Sequence, residues 1–261
     1  MARPLSPWPQ LSPRLIPVWR RNLRVWRKLL LPSVLGNFGE PVLYLLLFGY
    51  GFGRLVGEIE RMPYMDFLAA GIVCSSTMFS ASFEALYSAF TRMFQQQTWS
   101  AMLHAPLNVD DIVAGEIAWA ATKGVFSGAA MLIVAGVSGL VAGPAAIAVI
   151  PVVIATGVCF AAMAMVITAV SPSYDFFLYY FTLALTPMLL ISGVFFPRAT
   201  LPAFVDIVAQ LLPLTHAVAL VRPLMTGEIP SAIVVHALVL FVYAAVGLLV
   251  ATRLLRARLT D

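Results

Sequence analysis

Long apolar stretches dominate the chain, and six of them reach the length that crosses a lipid bilayer. About 20 apolar helical residues are needed to cross roughly 30 Å of hydrocarbon. Polar or proline-containing segments separate the stretches, so residues 33–252 read as a single six-span domain. The pattern therefore predicts an all-α membrane protein with six transmembrane helices, at about residues 34–55, 66–90, 112–140, 145–170, 176–196 and 231–252.

An amphipathic helix is predicted before the first span, at residues 14–32. Apolar side chains recur there at steps of three and four, which is the helical period. The stripe consists of Ile16, Trp19, Leu23, Trp26 and Leu30, and the other face carries Arg20, Arg21, Arg24, Arg27 and Lys28. Tryptophans opposite arginines are typical of an interfacial helix in the headgroup plane, and a solvated charge run is the alternative. The four prolines of residues 1–13 predict a flexible lead, and we expect no cleavable signal peptide.

Two connections between spans are long and patterned. Residues 91–111 are predicted to hold a helix that stops at Pro106, followed by a cap and an acidic first turn for the third span. Residues 197–230 are too apolar for a simple loop, and prolines cut them into pieces of about ten residues, which are too short to span. We therefore expect short external re-entrant helices before the sixth span.

The positions of lysine and arginine orient the predicted spans. With both termini in the cytoplasm, the inner side holds eleven of these residues: seven before the first span, Arg92, and three in a cytoplasmic tail at 253–261. The outer side holds four, namely Arg54, Arg61, Arg198 and Arg222. This distribution follows the positive-inside rule, whereas an odd number of spans would place one basic end outside.

The composition agrees with a lipid environment. Hydrophobic residues make up 61% of the chain and charged residues 11%, whereas a soluble domain carries about 25% charged residues. The formal charge is +4, but its one cluster lies on the predicted interfacial helix, so nucleic-acid binding is not expected. The two cysteines, Cys74 and Cys159, lie within apolar runs and are expected to be packing residues.

Nucleotide, cofactor and metal chemistry is not predicted for this chain. A phosphate-binding loop needs Gly-Lys, but the two lysines, Lys28 and Lys123, follow Arg27 and Thr122. An ATP-driven function would therefore need a separate ATPase subunit. The three histidines, at positions 104, 216 and 236, fall in separate segments without ligand spacing, so we expect no metal site.

A membrane protease is an alternative from another functional class. Residues 136–139 read Gly-Val-Ser-Gly, similar to the motif of rhomboid proteases, and His236 in the last span is a conceivable base. However, Ser138 lies at the outer end of the third span, and the second span offers no His or Asn to complete a site. We expect no catalytic residue, whereas the protease alternative predicts that Ser138→Ala abolishes activity.

Four charged residues within the predicted spans are candidates for function. Glu40, Glu84 and Glu116 fall near the cytoplasmic ends of their spans, and Lys123 lies deeper. A charge in lipid costs a few kcal/mol or more unless it is paired or hydrated. One interpretation is a polar cluster that lines an inward-facing cavity, and the other is snorkelling to the interface. The depth of Lys123 favours the first.

Five sequence blocks stand out along the chain. They are Phe67-Leu68-Ala69-Ala70-Gly71 through Phe83-Glu84, Trp99-Ser100-Ala101-Met102-Leu103, the run from Asp111 to Lys123, Ser171-Pro172-Ser173-Tyr174-Asp175, and Leu212-Pro213-Leu214-Thr215-His216 with Arg222-Pro223. These blocks resemble type-2 ABC export permeases, and in particular the NodJ family of nodulation-factor exporter permeases. The likeness extends over nearly the whole chain from about Trp19.

The resemblance implies an entry helix, six spans, a cytoplasmic coupling helix after the second span and external gate helices before the sixth. It further implies a homodimer of the permease with two NodI-like ABC ATPase subunits in a bacterial inner membrane. The cargo implied is an amphiphilic acylated chitin oligosaccharide. On this sequence the ATPase-coupling segment includes Gln95, Trp99, Met102, Leu103, Pro106 and Leu107, and the external gate includes Pro197, Pro213, His216 and Arg222.

Two transport alternatives remain open at this point. An exporter of the same class for another amphiphile, such as a polysaccharide, lipid or drug, would share all these features. A secondary carrier would work without an ATPase but would need an ion site near the bilayer midplane. Lys123 alone is weak support for such a site.

Overall fold

Helices account for nearly all of the structure. The computed structural model describes residues 8–28, 30, 39, 42–43, 45–47, 51, 53–60 and 62–260. Its α-helices are α1 Leu15–Arg27, α2 Gly53–Val56, α3 Tyr64–Phe83, α4 Thr98–Leu103, α5 Val109–Val137, α6 Val149–Val170, α7 Asp175–Tyr180, α8 Thr186–Ile191, α9 Ala203–Leu211, α10 Pro213–Thr226 and α11 Ile233–Thr260. Most of the predicted first span, 34–55, and Glu40 within it lie outside the described residues.

Tighter and wider helical turns join some of these elements. Two π-helical segments, Glu84–Ser88 and Thr91–Gln95, continue α3, and a third, Phe181–Leu185, joins α7 to α8. Pro144–Ala148 and Arg198–Thr200 are 3₁₀ turns. The all-α expectation misses a small antiparallel hairpin, in which β1 (Glu58–Ile59) pairs with β2 (Met62–Pro63) just before α3.

Within the described ranges, four helices are long and apolar enough to cross a membrane. They are Tyr64–Gln95, Val109–Val137, Ala146–Val170 and Ile233–Leu259, at the predicted second, third, fourth and sixth spans. The predicted fifth span is a shorter apolar helix, Asp175–Ile191. The structure thus provides four to five candidate spans, depending on how the bent pair α9–α10 is counted.

The pair α9–α10 turns through 87° and returns to the end of the bundle from which it started. Before it, Gly193 accepts a hydrogen bond from Arg222 Nη2. In the last turn of α10, the carbonyl of Met225 accepts a hydrogen bond from Ala142 N at 2.8 Å. Ala142 lies in the connection between α5 and α6, so both ends of the pair are at the same end of the bundle.

Small residues let the central helices approach closely, as is common between helices in lipid. A Cβ on Gly124 would lie 2.9 Å from the Thr77 carbonyl oxygen, and a Cβ on Gly128 would lie 2.2 Å from Thr77 Oγ1. The apolar part of Tyr64–Gln95 is 78% buried, against 11% for α11. The second predicted span is therefore the centre of the bundle, and α11 lies on its outside.

The last helix is longer than the sequence predicted. The tail expected at 253–261 is helical through Thr260. Two of its cations have partners that hold this extension against the bundle: Arg256 pairs with Asp110, and Arg258 donates to the carbonyls of Ala169 and Ser171.

Candidate functional site

The predicted coupling segment, 95–107, is interrupted by a sharp turn. The long helix Tyr64–Gln95 ends at Gln95, and Gln97 follows with φ 52°, a left-handed conformation uncommon outside glycine. The new helix α4 then starts at Thr98, and the Gln97 carbonyl accepts a hydrogen bond from Ala101 N at 3.1 Å. The single helix expected up to Pro106 is therefore two helices with different directions.

The side chains of this segment divide into an outward and an inward set. The outward set is exposed and consists of Gln95, Gln96, Gln97, Ser100, Ala101, His104, Ala105 and Pro106. Met102, Leu103 and Leu107 are half-buried against the core. Trp99 is fully buried and points into the protein, so it differs from the exposed side chains that a partner protein can touch.

Trp99 reaches a buried carboxylate in the third predicted span. Its indole Nε1 donates to Glu116 Oε1 at 3.2 Å, and Glu116 has no exposed surface. Arg92 binds the same carboxylate, with Nε at 3.0 and 3.1 Å from its two oxygens and Nη2 at 2.6 Å from Oε2. Charge-assisted contacts of this bidentate kind fix orientation as well as distance.

A second carboxylate also contacts Arg92. Arg92 Nη1 lies 3.0 Å from Glu84 Oε1. Glu84 also accepts hydrogen bonds from Trp119 Nε1 at 2.8 Å and from Ser88 Oγ at 3.1 Å. Glu84 and Arg92 both lie on the π-helical continuation of α3, and such turns are frequent at functional sites.

The entry helix α1 contributes to the same cluster. Asn22 is buried and donates from Nδ2 to Glu116 Oε2 at 3.1 Å. Its Oδ1 accepts from Arg21 Nη1 at 3.0 Å. Burial lowers the pKa of Arg21, while the Glu116 carboxylate acts to raise it. We call Asn22, Glu84, Arg92, Trp99 and Glu116 the coupling cluster, because it joins α1, α4, α5 and the long helix Tyr64–Gln95.

The entry helix packs on α5 along its length. A Cβ on Gly115 would come within 2.6 Å of Val18 Cβ, so the close approach requires glycine there. Further along, Trp19 Nε1 donates to Thr122 Oγ1 at 3.0 Å, and Trp26 stacks on Phe126 with ring centroids 5.0 Å apart. The contacts advance together, so both helices run in the same direction.

This arrangement changes the interpretation of the amphipathic stripe. Trp19 and Trp26 were expected to face lipid, but they contact α5 because Thr122 and Phe126 offer a hydrogen-bond acceptor and a ring. The basic residues Arg20, Arg24 and Arg27 are exposed, as predicted for the polar face. The buried polar Asn22 gave no signal in the apolar pattern.

A cavity lies beside the coupling cluster. It has a volume of about 240 Å³ and is lined by Arg21, Asn22, Val25, Trp26, Glu84, Ser88, Thr91, Arg92, Gln96 and Trp119. Of the four charges expected to line an inward-facing cavity, Glu84 lines this one, and Glu116 is bonded to two of its lining residues, Asn22 and Arg92. Lys123 lies further along α5, with Nζ 5.3 Å from the centre of the Trp26 ring.

The predicted external-gate residues lie at the opposite end of the bundle. Pro197 precedes the turn Arg198–Thr200, and Pro213 is the first residue of α10. Arg222 donates to the Gly193 carbonyl, and its guanidinium lies 3.6 Å from the centre of the Phe67 ring. It therefore fastens α10 to the start of α3.

His216 in α10 meets His236 in α11, a pairing that sequence spacing did not reveal. Their Nδ1 atoms are 2.7 Å apart, and His216 Nε2 lies 2.8 Å from the Gln210 carbonyl oxygen. Since a carbonyl only accepts, His216 donates from Nε2, and for two neutral rings His236 donates to His216 Nδ1. Ser138 is exposed at the end of α5, and in the described part of the chain no three or more metal-ligating residues cluster.

The sequence reading missed three members of this site. Arg92 was counted only as a flanking charge, because its distance along the helix from Glu84 depends on π turns that periodicity does not reveal. Asn22 and Trp119 were hidden among apolar neighbours. Buried polar side chains need partners, so the carboxylates at 84 and 116 were the available signal that such partners exist.

These observations define a helical membrane protein whose polar cluster ties a surface helix to its central spans, and comparison with known proteins gives its class. Residues 15–226 match the model of the ABC-2 type transporter family. The chain belongs to that family.

Particular relatives narrow the comparison. Nodulation protein J of Rhizobium leguminosarum bv. viciae is 46% identical over 242 residues, covering 93% of each chain. Nodulation protein J of Sinorhizobium fredii is 41% identical over 256 residues, covering 98% of this chain and 96% of the relative. The inner membrane transport permease YadH of Escherichia coli is 26% identical, covering 86% of each. The resemblance to NodJ seen in the sequence is thereby confirmed.

Proposed function

We propose that the protein is the permease subunit of an ATP-driven exporter that moves an amphiphilic acylated oligosaccharide across a bacterial inner membrane. In this proposal two permeases and two copies of a NodI-like ATPase subunit form the transporter. ATP is hydrolysed by the partner, since the chain has no Gly-Lys phosphate loop. The observation that carries the proposal is the coupling cluster, because it links the short helix α4 to the central spans.

The geometry of α4 suits the transmission of force from a partner. Its exposed side, with Ser100, Ala101 and His104, is open to contact. Its buried side is anchored by Trp99 to Glu116, which Arg92 links in turn to Glu84. A push on α4 therefore acts on the second and third predicted spans and on the entry helix together.

Six spans with two cytoplasmic termini are part of the proposal. Arg256, near one end of the chain, donates to the carbonyl of Trp8, near the other, at 3.2 Å. Two bonded segments lie on the same side of a membrane, so an even number of crossings separates them. Because α9–α10 starts and finishes at one end of the bundle, we count it as re-entrant. The remaining two spans are then Asp175–Ile191 and the one that the sequence predicts at 34–55, which lies mostly outside the described residues.

The cargo is proposed from the relatives named Nodulation protein J. An acylated chitin oligosaccharide has an apolar acyl chain and a sugar portion. Exposed apolar and aromatic side chains such as Phe83, Tyr179 and Leu183 suit contact with the acyl chain. A different amphiphile is the second candidate, supported by the more distant similarity to YadH.

Association with the ATPase is tested by placing a charge on the exposed side of α4. We expect Ser100→Arg to lower the amount of ATPase that co-purifies with the permease at least 10-fold, because an unpaired charge in an interface costs about 2–5 kcal/mol. The measurement is the ratio of the two subunits after affinity purification of the tagged permease.

The matched control is Ser173→Arg, the same change at another exposed serine, in the connection between α6 and α7. It should leave the subunit ratio within twofold of the unmodified protein. Undiminished ATPase association in Ser100→Arg would refute the assignment of α4 as the coupling helix.

A further inference from the structure

The first turn of α5 carries two buried carboxylates that the coupling cluster does not use. Asp110 is 2% exposed and Asp111 has no exposed surface. Asn108 caps the helix beside them, accepting a hydrogen bond from Asp111 N at 2.7 Å. Acidic side chains are favourable at a helix N-terminus, but buried carboxylates also need specific partners. These partners come from two parts of the chain that are distant in sequence, residues 8–12 and helix α11.

Residues 8–12, part of the predicted flexible lead, supply the first set of partners. Gln10 N donates to Asp110 Oδ2 at 2.6 Å. Ser12 donates to Asp111 twice, from its backbone N at 2.9 Å and from Oγ at 3.0 Å. Residues 8–12 are non-helical, and this leaves their N–H groups available to the carboxylates.

Residues 10–14 also contact the connection between α4 and α5. Arg14 Nη1 donates to the Pro106 carbonyl at 2.7 Å, and Asn108 Nδ2 donates to the Gln10 carbonyl at 3.3 Å. This N-terminal segment therefore holds two of the five residues that separate α4 from α5.

Arg256 of α11 supplies the second set of partners. Its Nε lies 2.6 Å from Asp110 Oδ1, and its Nη2 binds Asp110 Oδ2, so the ion pair is bidentate. The two side chains are only 12% and 3% exposed. A pair of this form fixes both the distance and the angle between α5 and α11.

The same helix α11 reaches the external-gate residues at its other end. His236 pairs there with His216 of α10, and Tyr243 OH donates to the Leu211 carbonyl at 2.9 Å. Twenty residues of helix separate His236 from Arg256, a distance of about 30 Å at 1.5 Å per residue. One helix thus connects the base of α5 to the pair α9–α10.

We propose that Asp110 and Arg256 form a clamp through which movement of the coupling segment reaches α11 and, through it, the gate helices. Arg256 is then a positioning residue for export, which acts through α11 and touches neither cargo nor nucleotide. The inference rests on the proposed function, because it assigns a route for the movement that α4 receives from the ATPase.

The test uses the full chain together with its ATPase, reconstituted in liposomes, and a fluorescently labelled acylated chitin oligosaccharide as the probe. We expect Arg256→Gln to leave co-purification with the ATPase and the rate of ATP hydrolysis within twofold of the unmodified complex. Transport per ATP hydrolysed should fall at least 10-fold. Asp110→Asn, which keeps the side-chain shape, should behave in the same way.

Charge exchange separates coupling from simple stabilisation. The double variant Asp110→Arg with Arg256→Asp restores the attraction and should bring transport per ATP back to within threefold of the unmodified complex. The control Arg253→Gln changes an exposed arginine on the same helix and should leave all three quantities unchanged. Arg256→Lys, which keeps the charge but loses the bidentate contact, should give an intermediate value.

Three outcomes would overturn the clamp. The first is normal transport per ATP hydrolysed in Arg256→Gln and Asp110→Asn. The second is a loss of ATPase association and of transport in equal proportion in these variants, which would indicate a structural contact alone. The third is that the charge-exchange variant and Arg256→Lys are both folded but neither recovers any transport. If the unmodified permease neither binds the ATPase nor transports the probe, the proposed function fails and the clamp with it; if it does both, a failure concerns the clamp alone.

Discussion

Glu116 is the residue on which most contacts of the candidate site converge. It accepts hydrogen bonds from Asn22, Arg92 and Trp99, which belong to three different segments of the chain. A buried carboxylate is costly by itself, and its net value for stability depends on complete pairing. Here each oxygen is satisfied, and Arg92 is shared with Glu84. The residue therefore fixes the relative positions of helices that a pattern of apolar contacts would leave free to slide.

Removing the charge of Glu116 should destabilise the protein. In Glu116→Gln one carboxylate oxygen becomes an NH2 group that cannot accept, so a donor among Asn22, Arg92 and Trp99 loses its partner, and an unsatisfied buried donor costs about 1–3 kcal/mol. We expect a clear fall in the thermal unfolding midpoint of the detergent-solubilised permease, together with weaker ATPase association. The measurement is the midpoint from a thermal unfolding scan at fixed detergent concentration.

Glu228→Gln provides the control, because Glu228 is exposed in the turn after α10. The same chemical change there should shift the free energy of unfolding by no more than about 0.5 kcal/mol. Equal shifts in the two variants would show that the coupling cluster does not hold the helices together.

At the scale of the element, the entry helix depends on one close approach. Gly115 allows the backbone of α1 to contact α5, with the Leu15 carbonyl oxygen 2.9 Å from where a Cβ would stand. The helix brings Asn22 to Glu116 only because this contact lets it lie so near. Packing of the two helices and the polar cluster therefore support each other.

Gly115→Ala should loosen this contact. Alanine is the better helix former by about 1 kcal/mol, but the added methyl group would collide with Val18 and Leu15, and overpacking costs about 1–3 kcal/mol. We expect a net loss of stability, measured as a lower midpoint of thermal unfolding. Proteolysis within α1 should become faster.

Gly136→Ala is the matched substitution in the same helix, at a glycine with no atom within 4 Å of its would-be Cβ. There only the helix-propensity gain acts, so the variant should be as stable as the unmodified protein or slightly more so. If the two variants changed stability in the same direction, close packing of α1 on α5 would not be the reason for Gly115.

The elements of this fold were predictable from the sequence to different degrees. Apolar length located the starts of the helices Tyr64–Gln95, Val109–Val137, Ala146–Val170 and Ile233–Leu259 to within a few residues, because hydrocarbon imposes a minimum apolar length. Helix ends outside the spans were less predictable. The turn at Gln97 and the helical extension beyond residue 252 depend on the tertiary partners Trp99–Glu116 and Arg256–Asp110.

The candidate site was only partly predictable, because its residues meet through tertiary contacts between distant segments. Glu84 and Glu116 stood out as charges in apolar runs, and the structure places both around Arg92. The face of α1 that packs on α5 was assigned to lipid, since a tryptophan stripe looks the same whether it meets lipid or another helix. The His216–His236 pair joins segments 20 residues apart, and local periodicity contains no information about such contacts.

At the scale of the whole molecule, the structure links its two ends through a small number of polar contacts. The coupling cluster joins α4 to the central helices, the Asp110–Arg256 pair joins α5 to α11, and the histidine pair joins α11 to α10. Most of the remaining contact between helices is apolar. This division suits a transporter, in which apolar surfaces allow sliding while a few charged contacts fix how the helices move together.

The measurement that tests the central claim most directly is transport of a labelled acylated chitin oligosaccharide in inside-out membrane vesicles. Vesicles that contain both the permease and its ATPase should accumulate the compound when ATP is supplied. Omitting ATP, the ATPase or the permease should abolish accumulation. Accumulation that persists without the ATPase would indicate a secondary carrier, and its absence in the complete system would contradict the assignment of this cargo and of ATP-driven export.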